Sequence, residues 1–213
     1  MMNQPTLVTV AQRTVSPSFC LNRMNTLLDK DTVHWFPMRV TYNRQLLVKD
    51  FFDRMGVECF IPMRYEPIEG KHPRHQVLKP AINNLIFVHS SRANITEMKM
   101  TRRELAPLRY MMQPLLGADR YTERPIIVVP DKQMENFMRV ASVTDNRVFY
   151  MDNLDFVGKP GQRVKIVEGE FSGVEGIVKR VKKNKVVVVQ IEHVAAVAIA
   201  FLPSAFIVPL EEE

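Results

Sequence analysis

The 213 residues, 46% of them apolar and 24% charged, can fill real cores as one large or two small domains, which excludes wholesale disorder. Lys and Arg number 29 against 23 Asp and Glu, a net charge of +6 with a pI near 9.4, so a nucleic-acid partner stands beside plain solubility as a reason for the excess. The longest apolar run, Val194 to Leu202, has nine residues where a membrane span takes about 20, and two cysteines, Cys20 and Cys59, are too few for a disulfide framework, which together point to a cytoplasmic protein without a membrane partner.

Residues 1 to 31 are polar and weakly patterned, with at most a helical turn around Leu21 to Leu28. They read as a mobile extension, and Thr6, Thr9, Gln12 and Arg13 break up any secretory leader. Val33 to Val40 reads as a strand carrying the only tryptophan, Trp35, and Pro37 suggests that it is an edge strand or bulged. Asn43 offers an N-cap to a helix with Leu46, Leu47, Phe51 and Met55 on one face, which Gly56 stops. Val57 to Ile61 is a short second strand, and a polar arm from Pro62 to Pro80 follows. Leu85 to Val88 is a buried strand. Asn94 with Glu97 three residues on caps a helix through about Arg103, and Pro107 ends it. Leu108 to Met112 and Ile126 to Val129 are further strands. Asp131 caps a last helix in which Met134, Phe137, Met138 and Ala141 share a face. Residues 32–143 are expected to form an α+β sandwich with an antiparallel or mixed sheet and flanking helices.

Residues 144–158 read as a linker, and beyond them the chain changes character. Five β-rich segments, Arg163 to Val167, Val174 to Val181, Lys185 to Ile191, Val194 to Phe201 and Ala205 to Val208, suit a small five-stranded barrel over 159–213, with a turn at Lys182 to Asn184. Five of the eight glycines (Gly158, Gly161, Gly169, Gly173, Gly176) fall within 19 residues, which marks tight turns between short strands. Residues 155–213 hold eight basic and eight acidic side chains, so the whole positive excess lies in the first 154 residues.

The segment Gly161-Gln-Arg-Val-Lys-Ile-Val-Glu-Gly169-Glu-Phe171-Ser-Gly173-Val-Glu-Gly176-Ile-Val resembles the KOW motif, found in SH3-like barrels of transcription and ribosomal proteins. Trp35-Phe36-Pro37-Met38-Arg39-Val40 leading into a helix, and Leu85-Ile86-Phe87-Val88 after a polar arm, resemble the N-terminal domain of NusG-type elongation factors. The order of the two modules matches that family over residues 33–210, closest in character to its specialised antiterminator paralogues of the RfaH and UpxY type. The chain departs from the pattern at Ile82-Asn83-Asn84-Leu85, where an aromatic-Pro-Gly-Tyr stretch is usual, in its long polar arm, and at Glu192-His193, where glycine is common.

The resemblance implies a monomeric protein without catalysis or cofactor, acting in transcription elongation or antitermination. Its N-terminal domain would dock on the RNA polymerase clamp through an apolar patch of Ile82, Leu85 and Phe87 with Trp35 and Tyr42 nearby. The other reading of these residues is ordinary core, which suits Trp35 and Phe87 best and leaves Ile82 and Tyr42 as the stronger interface candidates. The arm, with Arg64, Lys71, Arg74, His75 and Lys79, would touch the non-template DNA strand; charge alone allows a solvated hairpin as well. Lys99, Arg102 and Arg103 form a second basic stretch, read as a solvated face because Glu97 and Glu104 sit beside it. Phe156 and Phe171 would form the barrel's binding surface for termination factor Rho or a small-subunit ribosomal protein, or else close the barrel end.

No serine-elbow, metalloprotease, phosphate-loop or dinucleotide fingerprint occurs. His72 and His75 with Cys59 make a poor metal site beside Lys71 and Arg74. The alternative function is a ribosome- or RNA-binding KOW protein, against which the neutral barrel argues.

Overall fold

The structure, a computed structural model, describes residues 30–70, 75–114, 124–151, 161–181 and 184–210. The expected helical turn at Leu21 to Leu28 lies outside the described residues. The chain enters β1 (Val33–Val40), which leads through a tight 3-10 turn at Thr41–Asn43 into α1 (Gln45–Arg54). Tyr42 and Asn43 both take positive φ, 63° and 53°. This turn starts the helix at Gln45 without an Asn43 cap and corrects the expected face. Gln45, Val48, Phe51 and Phe52 are buried, whereas Leu46, Leu47 and Met55 are exposed. The inward stripe is displaced by one residue, about 100° around the helix.

β2 (Cys59–Phe60) is shorter than expected, and the arm folds as a hairpin of β3 (Met63–Pro67) and β4 (Gln76–Pro80). β5 (Leu85–Ser91) runs directly into α2 (Arg92–Thr101). Ser91, not Asn94, caps that helix: its Oγ accepts the Asn94 N–H at 3.2 Å, while the Asn94 side chain donates to Ser90 Oγ at 2.9 Å. β6 (Leu108–Tyr110) follows. Residues 126–129 make only isolated bridges, Met112 to Ile126 and Trp35 to Val129, in place of the expected strand. α3 (Asp131–Ala141) follows Pro130, so Asp131 is its first residue and not its cap; it buries Met134, Phe137, Val140 and Ala141, and half-buried Met138 packs against the same core.

The first sheet has the order β2-β5-β1-β6 and every pairing in it is antiparallel, which resolves the antiparallel-or-mixed alternative; β1 pairs on both sides and is a central strand despite Pro37, which corrects the expected edge. Its two faces sort by the period-two alternation of strands. Phe36, Met38, Val40, Ile86 and Val88 face α1 and α2, whereas Trp35, Leu85 and Phe87 belong to the core that contains α3.

The second sheet has the order β12-β8-β9-β10-β11-β7, again antiparallel, from β7 (Val148–Tyr150), β8 (Arg163–Ile166), β9 (Glu175–Val181), β10 (Asn184–Ile191), β11 (Ala195–Ile199) and β12 (Ile207–Pro209). The five expected strands are joined by a sixth: β7 comes from the segment read as a linker. Aromatic and β-branched Val148, Phe149 and Tyr150 suit a strand and pair with β11. One apolar cluster runs without interruption from Trp35, Leu85 and Phe87 through α3 to Val164, Ile166, Phe171, Val187, Val189 and Ile199 of the second sheet. The helix α3 is therefore packed between the two sheets and contacts β1, β10 and β11.

Candidate interaction surfaces

The expected apolar patch lies on two antiparallel neighbours. β1 and β5 are in register with Pro37 opposite Phe87 and Arg39 opposite Leu85, so Trp35, Leu85 and Phe87 fall on one face. All three are buried, Leu85 at 3% exposure and Phe87 at 0%. Phe87 packs on Phe137 of α3 with centroids 5.5 Å apart, and Phe60 meets the same Phe137 ring edge-on at 6.5 Å. Trp35 stacks on His89 at 4.7 Å, and His89 in turn is 2.7 Å from Glu58. Ile82 is half-buried against this core, whereas Tyr42 is 83% exposed.

Tyr42 and Ile82 are brought to the same end of the sheet by hydrogen bonds to Asn84. The Val40 N–H donates to Asn84 O at 2.9 Å, and the Asn43 N–H to Asn84 Oδ1 at 2.9 Å. Asn84 itself takes φ 61°, a left-handed conformation that Asn adopts more readily than most residues. Within the departure Ile82-Asn83-Asn84-Leu85, the backbone thus has a positive φ that asparagine supplies. His193 in the other departure also takes positive φ, 60°.

Polar contacts fasten α3 to the second sheet. The Gln133 side chain donates to Gln190 O at 2.9 Å, Arg139 donates to Ser172 O at 2.7 Å, and Lys132 pairs with Glu175 at 2.7 Å. Phe171, one of the two aromatics expected on a partner surface, is buried in the shared core with the Arg147 guanidinium 5.6 Å from its ring. Phe156 lies outside the described residues. Phe201 is exposed and takes a positive φ of 59°, an uncommon conformation for a bulky side chain.

The arm brings Arg64 and Lys79 opposite each other in the hairpin register, and both turn to one acid. Arg64 donates to Glu66 at 2.8 Å and Lys79 is 3.5 Å from its other oxygen. The Arg64 hydrogen bond is the main reason that the Glu66 carboxyl is held below its ordinary range. His75 is exposed; Lys71, His72 and Arg74 lie outside the described residues.

Further basic residues lie on β1, α2 and β6. Arg39 and Arg109 stand directly opposite on β1 and β6, both exposed. Lys99 reaches over the Tyr110 ring at 5.0 Å, and its pKa is lowered by burial and then by the Arg109 charge. Among the described residues, no ion pair involves Arg39, Lys99, Arg102, Arg103 or Arg109, so Glu97 and Glu104 do not neutralise these cations by direct contact. Like charges directly opposite across strands oppose sheet pairing. The sequence carried no sign that Arg39 and Arg109 meet, because the register between two segments 70 residues apart is a tertiary fact.

Among the described residues, no three His, Cys, Asp or Glu side chains gather as a metal would need. Cys59 is half-buried, and burial pushes its thiol up to about 11. No helix among the described residues is long and apolar enough to cross a membrane.

No family model matches the chain, and no curated protein does. Among solved structures, one of NusG from Thermotoga maritima, which concerns domain interaction in that protein, is similar with a TM-score of 0.41 at 16% identity, covering 84% of this chain and 98% of that one.

Proposed function

We propose that this chain is a transcription elongation or antitermination factor without catalytic activity, of the specialised NusG-like kind. In this reading residues 32–143 bind the RNA polymerase clamp, residues 159–213 recruit Rho or a ribosomal protein as a KOW module, residues 1–31 are an extension, and residues 144–158 join the two modules while lending β7 to the second sheet. One observation carries the reading. The two N-terminal segments that resemble the family, Trp35 to Val40 and Leu85 to Val88, are the central antiparallel pair of one sheet, while the KOW-like segment supplies β8, its glycine turn and β9 of the other.

Tyr42 and Ile82 form the part of the polymerase patch open to a partner in the present arrangement. Trp35, Leu85 and Phe87 join it only if the cover of α3 and the second sheet shifts. Non-template DNA is proposed to run across the cations of the arm, Arg64, Lys71, Arg74, His75 and Lys79, and on to Arg39 and Arg109, whose charges have no acid to satisfy them. The KOW partner would meet Phe156 and Phe171.

The test is capture of core RNA polymerase by the full chain. Tyr42→Asp is the cleaner probe, because an exposed side chain can be changed without disturbing the core, whereas Ile82→Asp also loosens the packing around it. Loss of capture by Tyr42→Asp with unchanged circular dichroism supports the reading. Capture of ribosomal RNA by the C-terminal module, without polymerase binding by the chain, would establish the ribosomal alternative instead.

A further inference from the structure

The strand β7 lies between the two halves of the molecule and limits how far they can separate. α3 ends at Ala141 and β7 starts at Val148, so residues 142–147 are all that connects the helix to the second sheet while β7 is paired. Val148, Phe149 and Tyr150 lie opposite Ile199, Ala198 and Val197 of β11. The ladder is extended on both sides, by the Ala200 N–H donating to Arg147 O at 2.8 Å and the Met151 N–H to Ala196 O at 3.1 Å.

Side chains fix the strand on both faces. Val148 and Tyr150 pack against the core shared with α3, and Phe149 and Met151 against a separate cluster of Val186, Val188, Ala196 and Ala198. The Tyr150 hydroxyl donates to the carbonyl of Ala141, at the C-terminus of α3, at 3.1 Å. Arg147 donates to Asp145 at 2.7 Å and to Glu170 at 2.6 Å in the loop that carries Phe171.

We propose that β7 is a latch that keeps the second sheet on α3 and so keeps closed the apolar core that the two sheets share through that helix. Six extended residues reach about 20 Å, so with β7 in place the sheet can only rock against the helix. With β7 peeled from β11 the connector runs from 142 to 162, about 70 Å when extended, and the sheet can leave. What the uncovered face then binds rests on the polymerase reading; the latch itself does not.

The experiment uses the full chain and small-angle scattering. Phe149 occupies a hydrogen-bonded ladder position between those of Arg147 and Met151, so Phe149→Pro removes a strand donor together with its packing. The variant is expected to show a larger radius of gyration and largest dimension than the parent while its circular dichroism shows retained sheet and helix. A folded variant with the parent's dimensions overturns the latch. Should Phe149→Pro fail to fold, Arg147→Ala leaves the backbone intact and is read by amide exchange at Ala195–Ile199. Exchange several-fold faster than in the parent supports the latch, and unchanged exchange overturns it. An opened variant that fails to capture polymerase would remove the polymerase reading and leave the latch standing.

Discussion

Two glycines of the KOW-like segment are needed for space and two for conformation. A Cβ on Gly161 would come within 2.6 Å of Ile177 Cγ2 and 2.7 Å of Val178 O, and one on Gly176 within 2.7 Å of Val187 Cγ1 and 2.8 Å of Val188 O, whereas Gly169 and Gly173 take positive φ. Because a backbone carbonyl cannot rotate away like a side-chain tip, Gly176→Ala should destabilise the chain by about 1–3 kcal/mol, the range for overpacking. Denaturant unfolding measures it, and a loss under about 0.5 kcal/mol, the level of an ordinary surface change, would mean that β9 and β10 can part at no cost. Cys59 offers a second test. Burial favours its neutral thiol, so the folded pKa lies above the unfolded value, and the corresponding stability is present below the unfolded pKa and lost as pH rises through about 11. In a Cys20→Ser background, alkylation of the folded chain should stay slow at pH 8 to 9 and accelerate toward pH 11. A rate already at its plateau by pH 9 would contradict the burial.

Among the elements, the two basic surfaces differ in what their charges already hold. Arg64 and Lys79 share Glu66, whereas Arg39 and Arg109 face each other without an acid, and Arg109 donates to the carbonyls of Ala106 and Leu108. Arg39→Glu with Arg109→Glu should therefore weaken single-stranded DNA binding more than Arg64→Glu with Lys79→Glu. If about four phosphates are contacted, the parent's log-log salt slope should be about −3 and the Arg39/Arg109 variant's about two contacts shallower, near −1.4. Fluorescence anisotropy against a labelled oligonucleotide measures both, and an Arg39/Arg109 variant that keeps the parent's slope would locate the contact elsewhere. The helices and main strands were readable from local pattern, because apolar spacing, proline and glycine are local signals. The inward face of α1 was not, since it depends on two residues taking positive φ just before the helix. Nor was the Arg39 and Arg109 pair, which follows from register, or β7, whose three residues are too short to show a period. The candidate patch was legible as residues but not in its cover, because nothing in Trp35, Leu85 or Phe87 says what packs on them.

For the molecule as a whole, the shared core makes α3 the element on which both sheets depend. Phe137 is fully buried, touches Phe60 and Phe87 of the first sheet, and belongs to the cluster that continues into the second. Truncating such an aromatic costs about 3–5 kcal/mol through lost transfer energy and the cavity left behind. At about 2–4 °C per kcal/mol for a chain of this size, Phe137→Ala should lower the midpoint of thermal unfolding by roughly 6–20 °C. The more discriminating quantity is which half responds. Trp35 fluorescence follows the first sheet, because the ring stacks on His89 within it, and amide exchange along Val187–Ile191 follows the second. If one core holds both, the two probes report a single transition in the parent and fall together in the variant. A Trp35 transition that drops while exchange in β10 stays at the parent's level would mean that α3 belongs energetically to the first sheet alone. The packing of the second sheet on α3 would then be a contact between two independently stable units, and the +6 charge of the N-terminal half could be presented to nucleic acid with or without it.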